Sequence, residues 1–275
     1  MRKPKQRGAP INMRRVRDWV QRFSGYRITV TENRIDRWLD QFADPDRDVA
    51  ARTLDSVEFL GAEPIADAFR SLLGEVPGWS RSATKRSGNW RFVAFSGSAG
   101  ESGDEMLRRF RHAGGMAPAN WKKLFVHRSE LLQERLEAGD TVVFVDDFSG
   151  TGTQAVNGWK EFAELLPGRP DVYLLLVAAT EQALARIRAE TPMIPLAHWT
   201  LGAKANVFHS SCKHFSGSEK DTLLQYCVRA DKKQPRGFGD CGLTLVFAHA
   251  CPNNSIPILH AASKKWEGLF RRHDG

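Results

Sequence analysis

The chain has 275 residues, of which 41% are hydrophobic and 26% charged, with a formal charge of +8. That balance excludes a disordered chain, and the longest apolar run, 172–179, has strand length rather than the roughly 20 residues needed to cross a bilayer. MRKPKQRGAP has no apolar stretch behind its charges, so it is not a secretory leader; the expected location is the cytoplasm, with no membrane contact.

Most of the charge sits in residues 1–22, where Arg2, Lys3, Lys5, Arg7, Arg14, Arg15, Arg17 and Arg22 stand against Asp18. The rest of the chain is close to neutral. Such an arm reads as a solvated tail, with nucleic-acid contact through residues 1–22 as the alternative. Cys212, Cys227, Cys241 and Cys251 form no CxxC pair, which argues against a disulfide framework or zinc ribbon, and His209, Cys212 and His214 lack the second ligand pair of a metal site.

From Met13 to Leu73 apolar residues recur three and four apart, as in Val16, Trp19, Val20 and Phe23 and then Ile35, Trp38, Leu39 and Phe42, which predicts several short helices. Thr31 is placed to cap one of them, Asp44-Pro45 marks a break, and 50–59 and 65–73 predict two more. Pro77-Gly78 and the polar stretch to Gly88 read as a linker, dividing the chain into a basic arm with a helical region, 1–80, and an α/β domain, 81–275.

Beyond the linker the period changes. Strands are expected at 90–95, 141–145, 172–177, 195–200 and 242–249, with a short one at 124–126. Helices are expected at 104–111, 129–136, 155–165 and 181–189, and an amphipathic segment at 266–271 closes the chain. Strands and helices alternating at these lengths predict a mainly parallel sheet flanked by helices.

The chemistry concentrates in 141–154, TVVFVDDFSGTGTQ. A strand ending at Val145 delivers Asp146 and Asp147 to the edge where open α/β sheets bind ligands, and adjacent carboxylates suit neighbouring ribose hydroxyls and water-mediated retention of Mg²⁺. Ser149, Gly150, Thr151, Gly152 and Thr153 then lead into a helix, so backbone N–H groups and hydroxyls converge as a monophosphate cradle. The lysine of a P-loop is absent, and Gly150, Gly152 and Ala155 fit GxGxxA only with two carboxylates and a phenylalanine between strand and glycines. A glycine turn without ligand leaves Asp146-Asp147 a costly pair at a strand end.

Apolar strand, Asp146-Asp147, spacer and Thr151-Gly152-Thr153 together resemble the signature of type I phosphoribosyltransferases. The resemblance implies that Asp146 and Asp147 contact the ribose hydroxyls of phosphoribosyl pyrophosphate and that Ser149 to Thr153 hold its 5′-phosphate, with Mg²⁺ brought by ligand phosphates and water. It further implies a pyrophosphate loop at Ser96, Gly97 and Ser98, after the 90–95 strand. That loop has no Lys or Arg, Glu101 and Asp104 follow it, and Gly150 stands where purine-salvage members carry an acid, which points away from purine salvage.

The helical N-terminal region, DDFSGTGTQ, Gly237-Phe-Gly-Asp240, Pro252-Asn-Asn-Ser-Ile-Pro257, Trp266 and Leu269-Phe270-Arg271-Arg272 are similar to phosphoribosyltransferase-like proteins of bacterial conflict systems. This implies a role in anti-phage defence beside a protein partner from the same operon. The function expected is action at an N-glycosidic bond of a phosphoribosyl or nucleotide small molecule; the alternative is a non-catalytic sensor of such a metabolite. Asn253 and Asn254, in a proline-bracketed loop after a strand, are candidates for reading a base or ribose edge, with an Asx turn as the plain alternative.

Overall fold

A computed structural model describes residues 11–96, 103–131, 133–163, 166 and 168–271. In chain order the elements are helices α1 (Met13–Arg22), α2 (Glu32–Leu39) and α3 (Arg47–Ser56), strand β1 (Glu58–Leu60), helix α4 (Ala62–Glu75), strand β2 (Trp90–Ala94), and helices α5 (Gly103–Ala113) and α6 (Arg128–Leu131). Strand β3 (Thr141–Ser149), helix α7 (Thr153–Ala163), strand β4 (Asp171–Thr180), helix α8 (Glu181–Glu190) and strand β5 (Ile194–Leu201) follow. The last are helix α9 (Gly217–Ala230) and strands β6 (Leu245–Phe247), β7 (Ala262–Ser263) and β8 (Trp266–Glu267).

The chain packs as two compact units, one made of 1–62 with 202–275 and the other of 63–201. The linear boundary read at residue 80 falls inside the second unit.

In the first unit the two ends of the chain share one core. Val16, Trp19 and Phe23 of α1 and its end, Ile35, Trp38 and Leu39 of α2, and Leu54 of α3 bury against Cys227, Val246, Ile258, Trp266 and Phe270. The indole N–H groups of Trp38 and Trp266 both donate to the Ile258 carbonyl, at 2.8 and 2.9 Å. Tyr26 OH donates to the Arg271 carbonyl at 2.6 Å. Thr31 caps α2 as expected.

Residues 13–22 are therefore part of a folded core, not a free tail. Val16 and Trp19 lie on one helix face and are buried, while Arg15 pairs with Asp55, Arg17 with Glu32, and Arg22 donates to the carbonyls of Leu54, Asp55 and Val57. Residues 1–10 lie outside the described residues.

The expected helix at 50–59 stops at Ser56. Val57 is extended and β1 pairs in parallel with β6, Phe59 opposite Val246, so sheet pairing takes over the last residues. The expected strand at 242–249 narrows to β6, because Gly242 turns at φ +57 and Leu243 makes only an isolated bridge to Ser255. Of the 266–271 segment, only Trp266 and Glu267 form an element, strand β8 of the small β7–β8 hairpin. Helix α9, for which no element was expected, is opened by a reciprocal capping box between Ser216 and Glu219.

The second unit is α/β. Its sheet has the order β2-β3-β4-β5, every neighbouring pair parallel. Val93, Phe95, Val142, Phe144, Leu174 and Leu176 present one face to Phe162 of α7 and to Leu184 and Ile187 of α8. On the opposite face Phe92 meets Phe110 of α5 edge-on, centroids 5.1 Å apart. The helix expected at 129–136 is the single turn α6; Leu131 and Leu136, five residues apart, enter the same core, a spacing that one continuous helix face does not hold. The expected strand at 124–126 is an isolated parallel bridge of Phe125 to Phe92, with Val126 N donating to Phe92 O at 3.2 Å.

Candidate ribose-phosphate site

Phe125 lies on the outer edge of β2, so the order across the sheet is Phe125, β2, β3, β4, β5. From β2 the chain runs outward to Phe125 and then returns to β3 on the other side. The gap between the carboxyl ends of β2 and β3 is thus a topological switch point, the place where parallel α/β sheets open a ligand crevice.

The predicted carboxylates are at this point, with one correction to the strand. β3 does not end at Val145 but runs to Ser149. β2 stops at Ala94, opposite Val145, whereas β4 continues beside β3, pairing Asp146 with Leu176 and Ser149 with Ala179. Asp146 to Ser149 therefore keep their β4 partner and extend past the last paired residue of β2. Strand alternation sends Asp146 and Asp147 to opposite faces. Asp146 is buried and Asp147 half-buried. Asp146 Oδ1 accepts from Ser96 Oγ at 3.4 Å and from the Asp147 amide at 3.0 Å.

Ser96 follows β2 and is the first residue of the expected pyrophosphate loop; Gly97 and Ser98 lie outside the described residues. Gly103, the first residue of α5, presses on it. A Cβ there would stand 2.2 Å from Ser96 O and 2.6 Å from Ser96 Oγ, so only glycine lets the helix start approach this closely.

The cradle residues come together as expected between β3 and α7. Ser149 and Gly150 are buried, Thr151 and Thr153 half-buried, and Gly152 makes the turn at φ +72. Thr151 Oγ1 donates to Thr153 Oγ1 at 2.9 Å and accepts from the Thr153 amide at 3.4 Å. Thr180 ties the loop down: its hydroxyl donates to Gly150 O at 2.6 Å while accepting from the Ala183 amide, the cap of α8.

Arg186 of α8, which no sequence motif marks, belongs to the same cluster. Its Nη1 donates to Thr153 Oγ1 at 2.7 Å, and its Nε pairs with Glu190 at 2.8 Å. Thr153 Oγ1 thus accepts twice, and its own proton remains to donate to an anion. The only advance sign was Arg186 standing in a helix after a strand that neighbours the loop, a relation set by sheet order.

Asn253 and Asn254 belong to the other unit. Asn254 is buried, its amide donates to Phe238 O at 3.0 Å and Cys241 Sγ at 3.4 Å, and its carbonyl accepts from the Leu243 amide. Asn253 O accepts from the Phe238 amide at 2.7 Å. These bonds brace the 237–243 turn. Burial pushes the neighbouring Cys241 thiol up. Among the described residues no three His, Cys, Asp or Glu side chains gather as metal ligands, and no helix is long and apolar enough to cross a membrane.

Comparison with known proteins adds a family. No curated protein matches the chain. Among solved structures it is similar to a crystal structure of Mycobacterium tuberculosis H37Rv orotate phosphoribosyltransferase in complex with Fe(III) dicitrate, at 19% identity and a TM-score of 0.30, over 58% of this chain and 79% of that one. The PRTase-CE family model matches residues 35–272, most of the chain including the whole β3 cradle, and the chain belongs to the PRTase-CE family.

Proposed function

We propose that the crevice between β2 and β3 binds a ribose 5-phosphate-containing ligand, phosphoribosyl pyrophosphate or a nucleotide, and acts at the N-glycosidic bond to C1 of its ribose. The observation that carries this reading is the meeting, at one switch point, of the Ser96–Asp146 hydrogen bond and a glycine-hydroxyl loop backed by Arg186. Family membership supports it.

In this reading Asp146 and Asp147 accept hydrogen bonds from adjacent ribose hydroxyls, and Ser96 fixes the orientation of Asp146. The amides of the 150–153 turn, the Thr153 hydroxyl and the start of α7 hold the terminal phosphate. In this reading the negative charge of the carboxylates offsets the positive charge that develops on the ribose ring. Mg²⁺ commonly binds through one or two carboxylates together with substrate phosphates; Asp146 or Asp147 would supply the carboxylate, and the ion would neutralise phosphate charge.

Titration with phosphoribosyl pyrophosphate and Mg²⁺, following heat and released pyrophosphate, tests the reading. Saturable binding with pyrophosphate release, both lost in Asp147→Asn, is expected; absence of binding would sink it. Binding without release over hours assigns the site to sensing, a reading favoured by the lack of Lys or Arg in 96–100. The biological setting we infer from the sequence resemblance is anti-phage defence beside an operon-encoded partner, and equal phage plating on cells carrying the intact chain and Asp147→Asn would remove that role from the site.

A further inference from the structure

A second surface of the 63–201 unit is built from side chains that the ribose-phosphate site does not use. Trp79, before β2, packs on Trp90 and Phe92 at centroid distances of 5.4 and 5.2 Å and meets Trp121 at 6.1 Å. Both Trp79 and Trp121 are half-buried. Guanidinium groups lie over them: Arg86 at 5.1 Å from the Trp79 centroid and 5.6 Å from that of Trp121, and Arg81 at 5.4 Å from Trp121. Arg81 is pinned by bonds to the carbonyls of Gly114 and Gly115. Lys122 and Lys123 follow Trp121 and are exposed.

Among the described residues, most of the charge of this surface has no carboxylate partner. Neither 77–91 nor 114–128 contains an Asp or Glu. Among the described residues, Arg91 and Arg128 pair with Glu134 and Glu161, while Arg81, Arg86, Lys122 and Lys123 have no carboxylate partner. Asp140, which touches the segment at Gly88 and Asn89, is buried and accepts from Asn89 and Glu137. Flat indole and guanidinium groups beside exposed ammonium groups are the combination that binds stacked bases and the phosphates between them. A peptide acid or free phosphate would use the charge and leave the stacking faces idle.

We propose that this Trp79–Trp121 face docks single-stranded nucleic acid. It lies beside Trp90, the first residue of β2, at the end of the strand away from Ser96. Bases stack against Trp121 and the Arg81 and Arg86 planes, and Lys122 and Lys123 hold the backbone.

The test is fluorescence anisotropy of labelled oligo(dT), and of a duplex, with the full chain at several salt concentrations. The full chain should bind the single strand more tightly than the duplex. Lys122→Gln with Lys123→Gln, at exposed positions, should keep the circular-dichroism spectrum and lower the slope of log affinity against log salt by about 1.4, from about 0.7 per phosphate contact. Trp121→Leu should weaken binding about tenfold with the slope unchanged, one lost stacking partner. Equal affinity for duplex, no binding by the full chain at low salt, or a lysine-pair variant with an unaltered slope would each overturn the proposal. Should Trp121→Leu fail to fold, the lysine pair decides.

Discussion

Arg186 Nη1 donates to Thr153 Oγ1 at 2.7 Å, which sets a cation from α8 at the lip of the 149–153 loop. Arg186→Ala should weaken binding of ribose 5-phosphate by about tenfold or more, the scale of one charge-assisted hydrogen bond. Arg186→Lys should recover part of the loss, since the charge remains without the forked donor geometry. Calorimetric titration of the three proteins checks both; equal affinities would remove Arg186 from the site.

Gly152 turns the chain at φ +72, and a Cβ there would stand 3.1 Å from Ala183 O. Gly152→Ala combines left-handed strain, about 1–2 kcal/mol, with pressure on the first turn of α8. Urea unfolding should show a loss of that order, and ligand affinity should fall with it because the cradle amides turn away. Unaltered affinity would mean that the loop backbone does not hold phosphate.

Gly103→Ala tests the coupling of α5 to Ser96. The added methyl group would overlap Ser96 O and Oγ, so Ser96 must move away from Asp146. Ser96→Ala removes only the hydroxyl, a contribution of about 1 kcal/mol. Gly103→Ala should therefore weaken ligand binding more than Ser96→Ala does. The reverse order, by titration, would show that α5 does not set the Ser96 position.

Asp140 stands at the turn into β3. Burial pushes its carboxyl up, but bonds from the Asn89 and Glu137 amides and the Asn89 side chain, with Arg91 nearby, outweigh this and hold it below the ordinary carboxylate value. A depressed folded value means that the stabilisation is complete above the unfolded value near 4 and is lost as pH falls from there through the folded value. Asp140→Asn should cost about 2 kcal/mol at pH 7, and less as pH falls through that window. Urea midpoints at neutral and acid pH check this; a pH-independent difference would contradict it.

The legible part of the molecule is local. A period of 3.6 located the helical stretches around Val16–Phe23, Ile35–Leu39 and 65–73, and short continuous apolar runs located the strands that become β2, β3 and β4, because a helix buries one stripe and a central parallel strand buries both faces whatever its neighbours are. The position of Asp146, Asp147 and the 149–153 loop between a strand and a helix was legible for the same reason: residues adjacent in sequence there have no freedom to separate. Element ends were less legible. Phe59 left its helix for β1 because a partner strand 187 positions away, at Val246, offered hydrogen bonds that no local pattern announces.

What the amino-acid order determined by itself was most of the strands and helices of the α/β unit, the first helices, and the short chemical motif, all governed by interactions within a few residues. Only the tertiary structure decided which elements share a core and what surrounds the motif. Trp38 and Trp266 meet at the Ile258 carbonyl and join the chain's beginning to its end, since the N-terminal helices cannot bury their apolar faces alone. Phe125 on the outer edge of β2 makes the switch point, and the order β3-β4-β5 brings Arg186 to Thr153. Those contacts are long-range, and their sequence separation carries no periodic trace.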